Sequence, residues 1–599
     1  MKNTAEKIKI LVSLFSIVCL AGFAAVAAVC GGEKVDVRVR TWIDPVRIVH
    51  ADEGVAGAEK LLAPKHGQVS EGYFGSSVGT VITNAGSGFI LDFGRELHGG
   101  VQLGMSPCTR KGSKVRLRFG ESVSETLSTA GGEGGATNDH AIRDFEILVP
   151  WFGQLEIGNT GYRFLRIDLA EGEKVGFEFV RAVSLMRPMK ATGSFKSSDE
   201  RLNRVFDTAV RTVHLCCQDY LWDGIKRDRL VWMGDTHPET MTILNVFGAA
   251  SILPESLDYM AAVTPPEKWM NTMPTYTLWW IRNLAEWYRY TGDRAYLAKY
   301  GEYLEKTFDH VLTVVKNGEW IGEGKTATFL DWPTHDNPEA EKAGSQGLAL
   351  ITARETAMMA EALGNESLAS KANALAAALS NYQLPTTNHQ LTTTNYQLST
   401  TTSTLPKSAA ALLALSGLGD AKAMFANSLG LNGNAGVSTF YGYYMLEAMS
   451  AAGENRRALD TVRDYWGGML DVGATSFWED FDLAWTNNCF RIDEMPVAGK
   501  KDIHGDYGNY CYKGFRHSFC HGWAAGPAAW CINHVLGIRP LDVGCTTVEV
   551  KPFLGDLDWA QGAMALPNGE RIEVKVRKNP DGSLATEISA PDRVKIVSQ

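Results

Sequence analysis

Residues 197–213 read Ser-Ser-Asp-Glu-Arg-Leu-Asn-Arg-Val-Phe-Asp-Thr-Ala-Val-Arg-Thr-Val, and the hydrophobic period of the chain changes within this stretch. Ser197 and Glu200 have the spacing of a capping box, so we expect this pair to start a helix. Apolar residues then recur at helical spacing, at Leu202, Val205, Phe206, Ala209, Val210 and Val213. The stretch therefore separates a strand-rich region before it from a helical region after it.

The region before this boundary, residues 35–190, is predicted to be an N-terminal β-sandwich domain. Turns rich in Gly and Ser separate short apolar or alternating runs, as is typical of a sandwich, and these runs are 89–93, 101–103, 114–119, 145–149 and 164–169. Gly75-Ser-Ser-Val-Gly79 has the spacing of a nucleophile elbow, but no helical pattern follows it. We therefore assign no catalytic role to Ser77.

The region after the boundary, residues 195–538, is predicted to be one long helical domain. Helical patterns recur, at 276–290, 294–315, 347–363, 367–379, 441–451, 456–470 and 523–536. Several end in Gly turns, and short helical hairpins of this kind indicate an α/α arrangement with function on loops at one end. Strand patterns return after Pro540, so residues 540–599 are predicted to form a small C-terminal β-domain.

One segment interrupts the helical region. Residues 381–403 consist of three near-identical units of seven residues that begin Asn-Tyr-Gln-Leu or Asn-His-Gln-Leu and carry almost no charge. A polar repeat of this kind cannot bury enough apolar surface to become ordered. We therefore expect residues 381–405 to be a disordered insertion between two helices.

The first 28 residues are predicted to be a signal peptide. Lysines at positions 2, 7 and 9 precede an apolar run, and Ala25-Val26-Ala27 provides a cleavage signal. A retained membrane anchor is an alternative, because the run is nearly long enough to span a bilayer. Cys30 raises a second alternative, lipoprotein processing, against which the preceding Val29 argues. We expect an exported protein, periplasmic or secreted, with no stable membrane span after processing.

Composition limits the ligand classes. The formal net charge is −10 with no long basic run, so we expect no nucleic-acid partner. The chain contains 16 Trp and 19 Tyr, and such flat amphipathic side chains favour carbohydrate over phosphate ligands. We expect no metal and no cofactor, because no zinc-binding spacing is present. Buried free thiols are the default expectation for the cysteines after Cys30, which are Cys108, Cys216, Cys217, Cys489, Cys511, Cys520, Cys531 and Cys545.

The segment 221–239 carries the candidate chemistry. It reads Leu-Trp-Asp-Gly-Ile-Lys-Arg-Asp-Arg-Leu-Val-Trp-Met-Gly-Asp-Thr-His-Pro-Glu, with three aspartates among arginines and tryptophans. A core segment rarely holds so many charges, and a solvated loop rarely holds two tryptophans. Paired carboxylates beside indole rings suit a sugar site, because most glycosidases place two carboxyl groups on either side of the scissile bond. An ion-paired structural loop is the alternative.

Five motifs together resemble the bacterial α-L-rhamnosidases of glycoside hydrolase family 78. They occur in the family's order along nearly the whole mature chain, as Leu91-Asp-Phe-Gly-Arg-Glu-Leu-His-Gly-Gly-Val, Asp223-Gly-Ile-Lys-Arg-Asp-Arg-Leu-Val-Trp-Met-Gly-Asp, Gly473-Ala-Thr-Ser-Phe-Trp-Glu, Ser518-Phe-Cys-His-Gly-Trp-Ala-Ala-Gly-Pro and Pro552-Phe-Leu-Gly-Asp-Leu-Asp-Trp-Ala-Gln-Gly. The resemblance implies an (α/α)6-barrel catalytic domain flanked by N-terminal and small C-terminal β-sandwich domains. It also implies exo-hydrolysis of terminal α-L-rhamnose, with inversion, from a rhamnose-containing oligosaccharide, polysaccharide or glycoside.

The same resemblance assigns site residues by position. Asp228 falls at the general acid and Glu479 at the general base. Positions that line the sugar pocket are Asp223, Arg227, Trp232, Asp235, Trp279, Asp331, Trp332 and His521. Each has a structural alternative: Glu479 could lie in a solvated acidic turn, His521 and Trp279 could be core residues, and Asp331 could cap a turn.

One departure from the family pattern bears on function. The family commonly has Glu at the acid position, and Asp228 is one methylene shorter. Arg227 and Arg229 also flank it, and nearby cations lower the pKa of a carboxyl group. A general acid must reach the glycosidic oxygen in its protonated form. Two alternatives therefore stay open: a related glycosidase for another terminal sugar, and an inactive glycan-binding protein.

Overall fold

The computed structural model describes residues 35–63, 67, 69, 79–108, 111–132, 134–381 and 405–598. The predicted signal peptide, Ser77 and almost all of the predicted insertion lie outside these residues. Every element described below belongs to the compact unit that begins at Val39.

Nine strands before residue 190 form a single sheet in which all neighbouring strands are antiparallel. The strands are β1 Val39–Ile43, β2 Arg47–Ala51, β3 Val55–Ala56, β4 Thr80–Ile82, β5 Gly88–Met105, β6 Ser113–Gly120, β7 Asp144–Val149, β8 Gly153–Glu171 and β9 Val175–Met186. Their order is β3-β4-β9-β5-β8-β6-β7, with β1 beside β9 and β2 beside β5. A short helix, α1 Val123–Leu127, lies between β6 and β7 in the chain.

The two apolar runs predicted at 89–93 and 101–103 belong to one strand, β5. Its pairing with β8 shifts register between Asp92 and Leu97 and again between Gly99 and Val101. Bulges of this kind bend a strand without ending it. The first part of β5 lies beside β2 and the later part lies beside β9. The glycine-rich segment between the two runs is therefore a bend rather than a turn.

The first long helix, α2 Glu200–Cys216, begins later than the predicted capping box. Asp199 is its N-cap, and the Asp199 carboxylate accepts the backbone N–H groups of Arg201 and Leu202. Ser197 instead ends strand β10, Ser194–Ser197, and its hydroxyl contacts Asn203 Oδ1 at 3.1 Å. The capping-box prediction was wrong because one carboxylate accepts both amides. The predicted apolar face is confirmed, since Leu202, Val205, Phe206, Ala209 and Val213 are buried.

Fourteen further α-helices follow among the described residues. They are α3 Thr236–Phe247, α4 Ile252–Val263, α5 Pro274–Thr291, α6 Arg294–Lys299, α7 Gly301–Leu312, α8 Trp332–His335, α9 Pro338–Leu363, α10 Glu366–Ser380, α11 Lys407–Ser416, α12 Ala421–Met424, α13 Gly442–Ala451, α14 Asn455–Thr461, α15 Gly467–Asp471 and α16 Gly526–Trp530. The predicted helix 294–315 is divided at Tyr300, and the predicted helix 347–363 begins earlier, at Pro338.

Six of these helices form a closed inner ring. Helix α3 contacts α5, α5 contacts α9, α9 contacts α11, α11 contacts α13, α13 contacts α16, and α16 contacts α3. An outer helix precedes each inner one in the chain, namely α2, α4, α7, α10, α12 and the α14–α15 segment. The predicted (α/α)6 arrangement is therefore confirmed, and the segments that lead into the inner helices gather at one end of the ring.

Two small sheets contain the strands that follow the ring, and one of these sheets also includes β10, which precedes the ring in the chain. The remaining strands are β11 Val315–Lys316, β12 Glu319–Trp320, β13 Cys489–Phe490, β14 Lys501–Asp502, β15 Ile538–Pro540, β16 Thr547–Val550, β17 Trp559–Ala565, β18 Arg571–Lys578, β19 Leu584–Ser589 and β20 Lys595–Ser598. The strands β11–β14 form two short pairs within the helical region. One sheet has the order β10-β17-β18-β19 and the other β15-β16-β20. The C-terminal sheet thus pairs directly with β10, the strand that leads into α2.

Two further features concern the whole described chain. Among the described residues, no helix is both long and apolar enough to cross a membrane. Seven cysteines have free thiols, as predicted, and five of these are buried, namely Cys216, Cys217, Cys520, Cys531 and Cys545, whereas Cys108 and Cys489 are half-buried.

Candidate active site

A cavity of about 360 Å³ lies at the end of the ring where the inner helices begin. Its volume falls within the range of roughly 300–1,000 Å³ that is typical of ligand pockets. Asp235 precedes α3, Met273 precedes α5, Phe440 precedes α13 and Trp523 precedes α16, and all four line the cavity. The cavity therefore lies among the N-terminal ends of the inner helices, where partial positive charge favours carboxylate groups.

Asp223 organises the loop that carries the predicted acid. Its Oδ2 accepts the backbone N–H of Asp228 at 2.7 Å, and its Oδ1 accepts that of Leu230 at 3.0 Å. Burial and the nearby Asp228 raise the pKa of Asp223 to about 7. A carboxylate that accepts two loop amides holds the loop in one conformation, so Asp223 lines the cavity and also positions Asp228.

A second loop, which contains His521, is joined to the first one. Gly224 forms an isolated antiparallel bridge with His521, and the N–H of Gly522 donates to the carbonyl oxygen of Asp223 at 2.7 Å. A Cβ at Gly522 would lie 1.4 Å from Glu239 Oε1, so a larger residue there would have to displace the buried Glu239 side chain. The tight packing brings two distant stretches of sequence to one wall of the cavity.

Arg227 lies between the two predicted catalytic carboxyl groups. Its Nη1 lies 3.1 Å from Asp228 Oδ1, and its Nη2 donates to Glu479 Oε1 at 2.8 Å. Arg227 and Glu479 are buried, whereas the Asp228 side chain is 21% exposed. One planar guanidinium therefore fixes the relative positions of both carboxyl groups.

Glu479 is a buried site residue and not part of a solvated turn. Its Oε2 accepts the N–H of Ser518 at 3.1 Å, and its backbone N–H donates to the Ser518 carbonyl at 3.0 Å. Burial raises the pKa of Glu479 to about 8, against the opposing effects of Arg227 and the Ser518 amide. Trp523 Nε1 and the Thr439 hydroxyl both donate to the Glu479 carbonyl oxygen, so the backbone is held as well.

The two arginines that flank Asp228 differ in orientation. Arg227 contacts the Asp228 carboxyl, as described above. Arg229 instead donates from Nη1 to the carbonyl oxygen of Asn159 at 3.0 Å, and its guanidinium lies 5.0 Å from the centre of the Trp222 ring. One of the two flanking cations is therefore directed away from the predicted acid.

His521 stands at the centre of the buried carboxyl groups. Its Nε2 lies 3.7 Å from Asp223 Oδ2, 3.8 Å from Asp235 Oδ2 and 3.7 Å from Glu479 Oε1. Burial and Arg227 hold the pKa of His521 well below its usual value. These separations exceed hydrogen-bond length, so a hydroxyl group placed among the four side chains would gain partners there.

Asp235 and Tyr276 form the next part of the wall. The Tyr276 hydroxyl donates to Asp235 Oδ1 at 2.9 Å, and both side chains are buried. Burial and the neighbouring Asp223 raise the pKa of Asp235 well above its usual value. Asp235 can therefore accept from Tyr276 while its other oxygen faces His521.

Of the three tryptophans predicted to line the pocket, two present their rings to the cavity and one does not. Trp232 and Trp332 are half-buried and line it. Trp279 is fully buried and stacks on Tyr444 with ring centres 5.0 Å apart. The prediction that Trp279 belongs to the pocket wall is therefore corrected, because its ring packs inside the core of the helical ring.

Asp331 caps a helix, as the structural alternative predicted, and it also lines the cavity. It is the N-cap of α8, with Oδ1 accepting the N–H of Thr334 at 3.1 Å, and Oδ2 accepts the hydroxyl of Ser438 at 3.3 Å. Burial raises its pKa to about 6. The structure thus brings to one cavity every predicted site residue except Trp279, namely Asp223, Arg227, Asp228, Trp232, Asp235, Asp331, Trp332, Glu479 and His521.

Residues 190–535 match the bacterial α-L-rhamnosidase six-hairpin glycosidase domain. The chain belongs to this family. No curated protein sequence matches it.

Solved structures agree on the fold. A family 78 rhamnosidase of Bacillus sp. GL1 matches with a TM-score of 0.69 and 22% identity, over 90% of this chain and 55% of that one. A Klebsiella oxytoca rhamnosidase with rhamnose bound matches with a TM-score of 0.61 and 19% identity, over 83% of this chain and 96% of that one. A Streptomyces avermitilis α-L-rhamnosidase complexed with L-rhamnose matches with a TM-score of 0.64 and 17% identity, over 89% of this chain and 49% of that one. The chain thus spans about half the length of the Bacillus protein.

Several wall residues of this family member were not predicted from its sequence. Tyr276, Phe440, Tyr512, Arg516 and Trp523 all line the cavity. Tyr276 and Trp523 lay at the edges of predicted helices, which is where an α/α ring exposes side chains at its functional end. Tyr512 and Arg516 lie in an irregular segment without periodicity, so no sequence pattern singled them out.

Two groups of described residues in the rhamnosidase-family chain come close enough to ligate a metal ion. One is Asp223, Asp235 and His521 within the cavity, where Asp223 Oδ2 already accepts the Asp228 amide. The other comprises Glu121, Glu125 and His504, where the Lys226 ammonium contacts the two glutamates at 3.4 and 2.8 Å. Lysine therefore supplies the positive charge at the second group. We assign no metal to either.

Proposed function

We propose that the chain is an exo-acting α-L-rhamnosidase that hydrolyses terminal α-L-rhamnose from oligosaccharides, polysaccharides or glycosides by an inverting mechanism. The observation that carries the proposal is the placement of Asp228 and Glu479 on one guanidinium, at a cavity of a six-hairpin glycosidase domain. Sugar complexes of two similar structures, with rhamnose and with L-rhamnose, support the sugar class.

The proposed acid is Asp228. It is the more exposed of the two carboxyl groups and lies on the Asp223-ordered loop, so it can reach a glycosidic oxygen that leads out of the cavity. In its protonated form it donates its proton to that oxygen as the glycosidic bond breaks.

The proposed base is Glu479. In its ionised form it takes a proton from a water molecule that attacks the anomeric carbon from the opposite face. The Arg227 guanidinium and the Ser518 amide stabilise the carboxylate form. Both contacts are made before substrate binds, so the base is positioned in advance.

The cavity also suits a deoxyhexose. Asp223, Asp235 and His521 converge at distances that leave room for sugar hydroxyl groups. Trp232, Phe329 and Trp332 supply the apolar surfaces that accept a methyl group and the C–H face of a pyranose ring.

The direct test is hydrolysis of 4-nitrophenyl α-L-rhamnopyranoside by the wild type, Asp228→Asn and Glu479→Gln. We expect both variants to lose at least about 10²-fold in kcat, which is the usual contribution of acid–base groups. Glu302→Gln is the matched control, because Glu302 is exposed and pairs only with Lys306 one helical turn away. Full activity in either site variant would contradict the assigned role.

A panel of other aryl glycosides separates the alternatives. Hydrolysis of a different glycoside with no action on the rhamnoside would show a related glycosidase for another terminal sugar. Binding of L-rhamnose in calorimetry without hydrolysis of any glycoside would show a glycan-binding protein. Either result would overturn the proposed activity and leave the fold assignment intact.

The stereochemistry is tested separately by proton NMR of the first-formed sugar. An inverting enzyme releases β-L-rhamnose from the α-linked substrate before the anomers equilibrate. Initial release of the α-anomer would show a retaining mechanism. In that case Glu479 would be a nucleophile and not a base.

We also propose that the chain is exported and processed at the Ala25-Val26-Ala27 signal. Mass spectrometry of the N-terminus after expression in a bacterium should find a chain shortened by the first 28 or so residues, in the periplasm or the medium. A full-length chain in the cytoplasm would contradict this proposal.

A further inference from the structure

A histidine from the N-terminal sheet region reaches the proposed general acid. His140 lies in the connection between α1 and β7, and its Nε2 is 3.3 Å from Asp228 Oδ1. Its side chain is 25% exposed. His140 thus contacts the same carboxyl oxygen as Arg227, from the side of the molecule that faces solvent.

The connection that carries His140 is held in place on both sides. Asn138 Oδ1 accepts the backbone N–H groups of Arg143 and Asp144 at 2.9 and 3.1 Å, which closes the turn around His140. The buried Arg143 guanidinium contacts Glu125 at 2.8 Å and the Gly161 carbonyl at 2.7 Å. The histidine is therefore displayed from an ordered turn.

Two contacts tie this turn to the loops of the active site. Arg229, which follows Asp228, lies 3.5 Å from the carbonyl oxygen of His140 through Nη1. Arg516, which lines the cavity, lies 3.6 Å from the carboxylate of Asp139. Arg229, next to Asp228, and Asp139, next to His140, thus keep the imidazole beside the carboxyl group.

The proposed acid has a chemical difficulty that this histidine addresses. Asp228 gives up its proton in each turnover and must regain one before the next, and Arg227 contacts its Oδ1 at 3.1 Å. A permanent cation cannot give up a proton, because arginine stays charged in proteins. The His140 imidazole lies beside the same oxygen, and imidazole groups serve as proton shuttles in proteins.

We propose that His140 is a proton-relay residue that supplies the general acid Asp228 between turnovers. The inference rests on the proposed glycosidase function and adds a residue from outside the helical ring to its machinery. His140 acts through Asp228 and is a positioning residue, since the leaving oxygen takes its proton from the aspartate.

The proton balance is complete without another reactant. When the glycosidic bond breaks, Asp228 gives its proton to the leaving oxygen and becomes a carboxylate, while Glu479 takes one proton from the attacking water. The His140 imidazolium then transfers its Nε2 proton to Asp228. The neutral ring regains a proton from bulk water, and Glu479 releases its own proton to bulk water.

The test compares leaving groups, because a good leaving group needs no protonation. With phenyl α-L-rhamnoside, we expect His140→Gln to lower kcat by about 10- to 100-fold, which is less than the roughly 10²–10⁴-fold contribution of a general acid because Asp228 itself is still present. With 2,4-dinitrophenyl α-L-rhamnoside, we expect kcat within about threefold of the wild type. A purely structural role for His140 would lower both rates equally.

Two variants complete the experiment. His50→Gln is the matched control, because His50 pairs with Asp52 at 2.8 Å on the same sheet and does not line the cavity. In His140→Ala, added imidazole should restore the phenyl rhamnoside rate and leave the dinitrophenyl rate unchanged. Rescue of this kind also shows that the variant is folded.

The outcomes distinguish the relay from the function itself. If Asp228→Asn shows the leaving-group dependence and His140→Gln does not, the relay is wrong and the proposed function stands. If both variants lose the two activities equally, Asp228 is not the acid and both proposals fail. A wild type without activity on either rhamnoside overturns the proposed function, and the relay with it.

Discussion

The Arg227 guanidinium donates to Glu479 Oε1 at 2.8 Å in a pair that is buried on both sides. Burial raises the pKa of Glu479 to about 8, and Arg227 is the largest influence in the opposite direction. Arg227 is therefore the main group that favours the ionised form of the carboxylate that should accept a proton from water, and the Ser518 amide adds to its effect. The relationship explains why an arginine lies between two carboxyl groups that must act in opposite senses.

Replacement of Arg227 should change the pH dependence of the reaction. In Arg227→Met the pKa of Glu479 should rise further, because the opposing cation is lost. We expect the acid limb of the kcat/KM profile, which reports the free enzyme, to move to higher pH and kcat/KM at pH 7 to fall by about 10²-fold or more. An unmoved limb with reduced activity would show that Arg227 acts only on the substrate.

The same burial predicts a gain in stability when Glu479 becomes neutral. Its folded-state pKa of about 8 lies above the ordinary value of 4.5, so between these values the folded protein binds more protons than the unfolded chain. Stability associated with this group is therefore present below pH 4.5 and is lost as pH rises through about 8. We expect Glu479→Gln to raise Tm relative to the wild type, with a larger difference at pH 9 than at pH 5. Equal shifts at both pH values would contradict this account.

Asp223 should be needed for the geometry of its loop. Asp223→Asn keeps one acceptor oxygen, so one of the amides of Asp228 and Leu230 loses its partner. We expect kcat to fall by about 10- to 100-fold, because misplacement of a catalytic group by about 1 Å has effects of this size. Steady-state kinetics with circular dichroism as a control for folding would check this. Unchanged kcat would show that the loop holds its conformation without the carboxylate.

The two kinds of tryptophan should respond differently to substitution. Trp332→Ala removes a ring that lines the cavity, so we expect KM to rise by about two- to twelvefold, in line with the roughly 0.5–1.5 kcal/mol of a ring contact. Trp279→Phe removes part of a fully buried ring, so we expect a lower Tm, a loss of about 1–3 kcal/mol in stability, and an unchanged KM. A raised KM in Trp279→Phe would instead show that Trp279 contributes to the pocket wall.

The sequence supported the main features of the fold for identifiable reasons. Helical periodicity is strong where one face of a helix is buried, as in α2, and the apolar residues at Leu202, Val205 and Phe206 pack as expected. The start of a helix depends on which side chain accepts its first backbone N–H groups, and in α2 this is Asp199 and not Ser197. Helix α5 is buried on nearly every side, so its periodicity could not show which way Trp279 points.

The candidate site was predictable only as far as local motifs extend. The acidic segment and the Glu479 motif identified both carboxyl groups, but nothing in either motif indicated that Arg227 contacts both. That contact depends on how two loops meet, which is fixed by pairs such as Gly224 and His521 that lie far apart in sequence. His140 was missed for the same reason, because it comes from an irregular turn between an isolated helix and a strand.

The pairing of β10 with β17 has a consequence for biosynthesis. Ser194–Ser197 leads into the first helix of the ring, and its partner Trp559–Ala565 follows the ring in the chain and is translated after it. While the ribosome is still producing the helical hairpins, the edge of β10 has no strand to pair with. The loop of chain that this pairing closes includes the whole ring, so β10 can pair only after all the helices of the ring have been translated. A nonsense mutation between the codons for Trp523 and Trp559 would therefore release a chain that has every residue of the cavity and lacks the strand that pairs with β10.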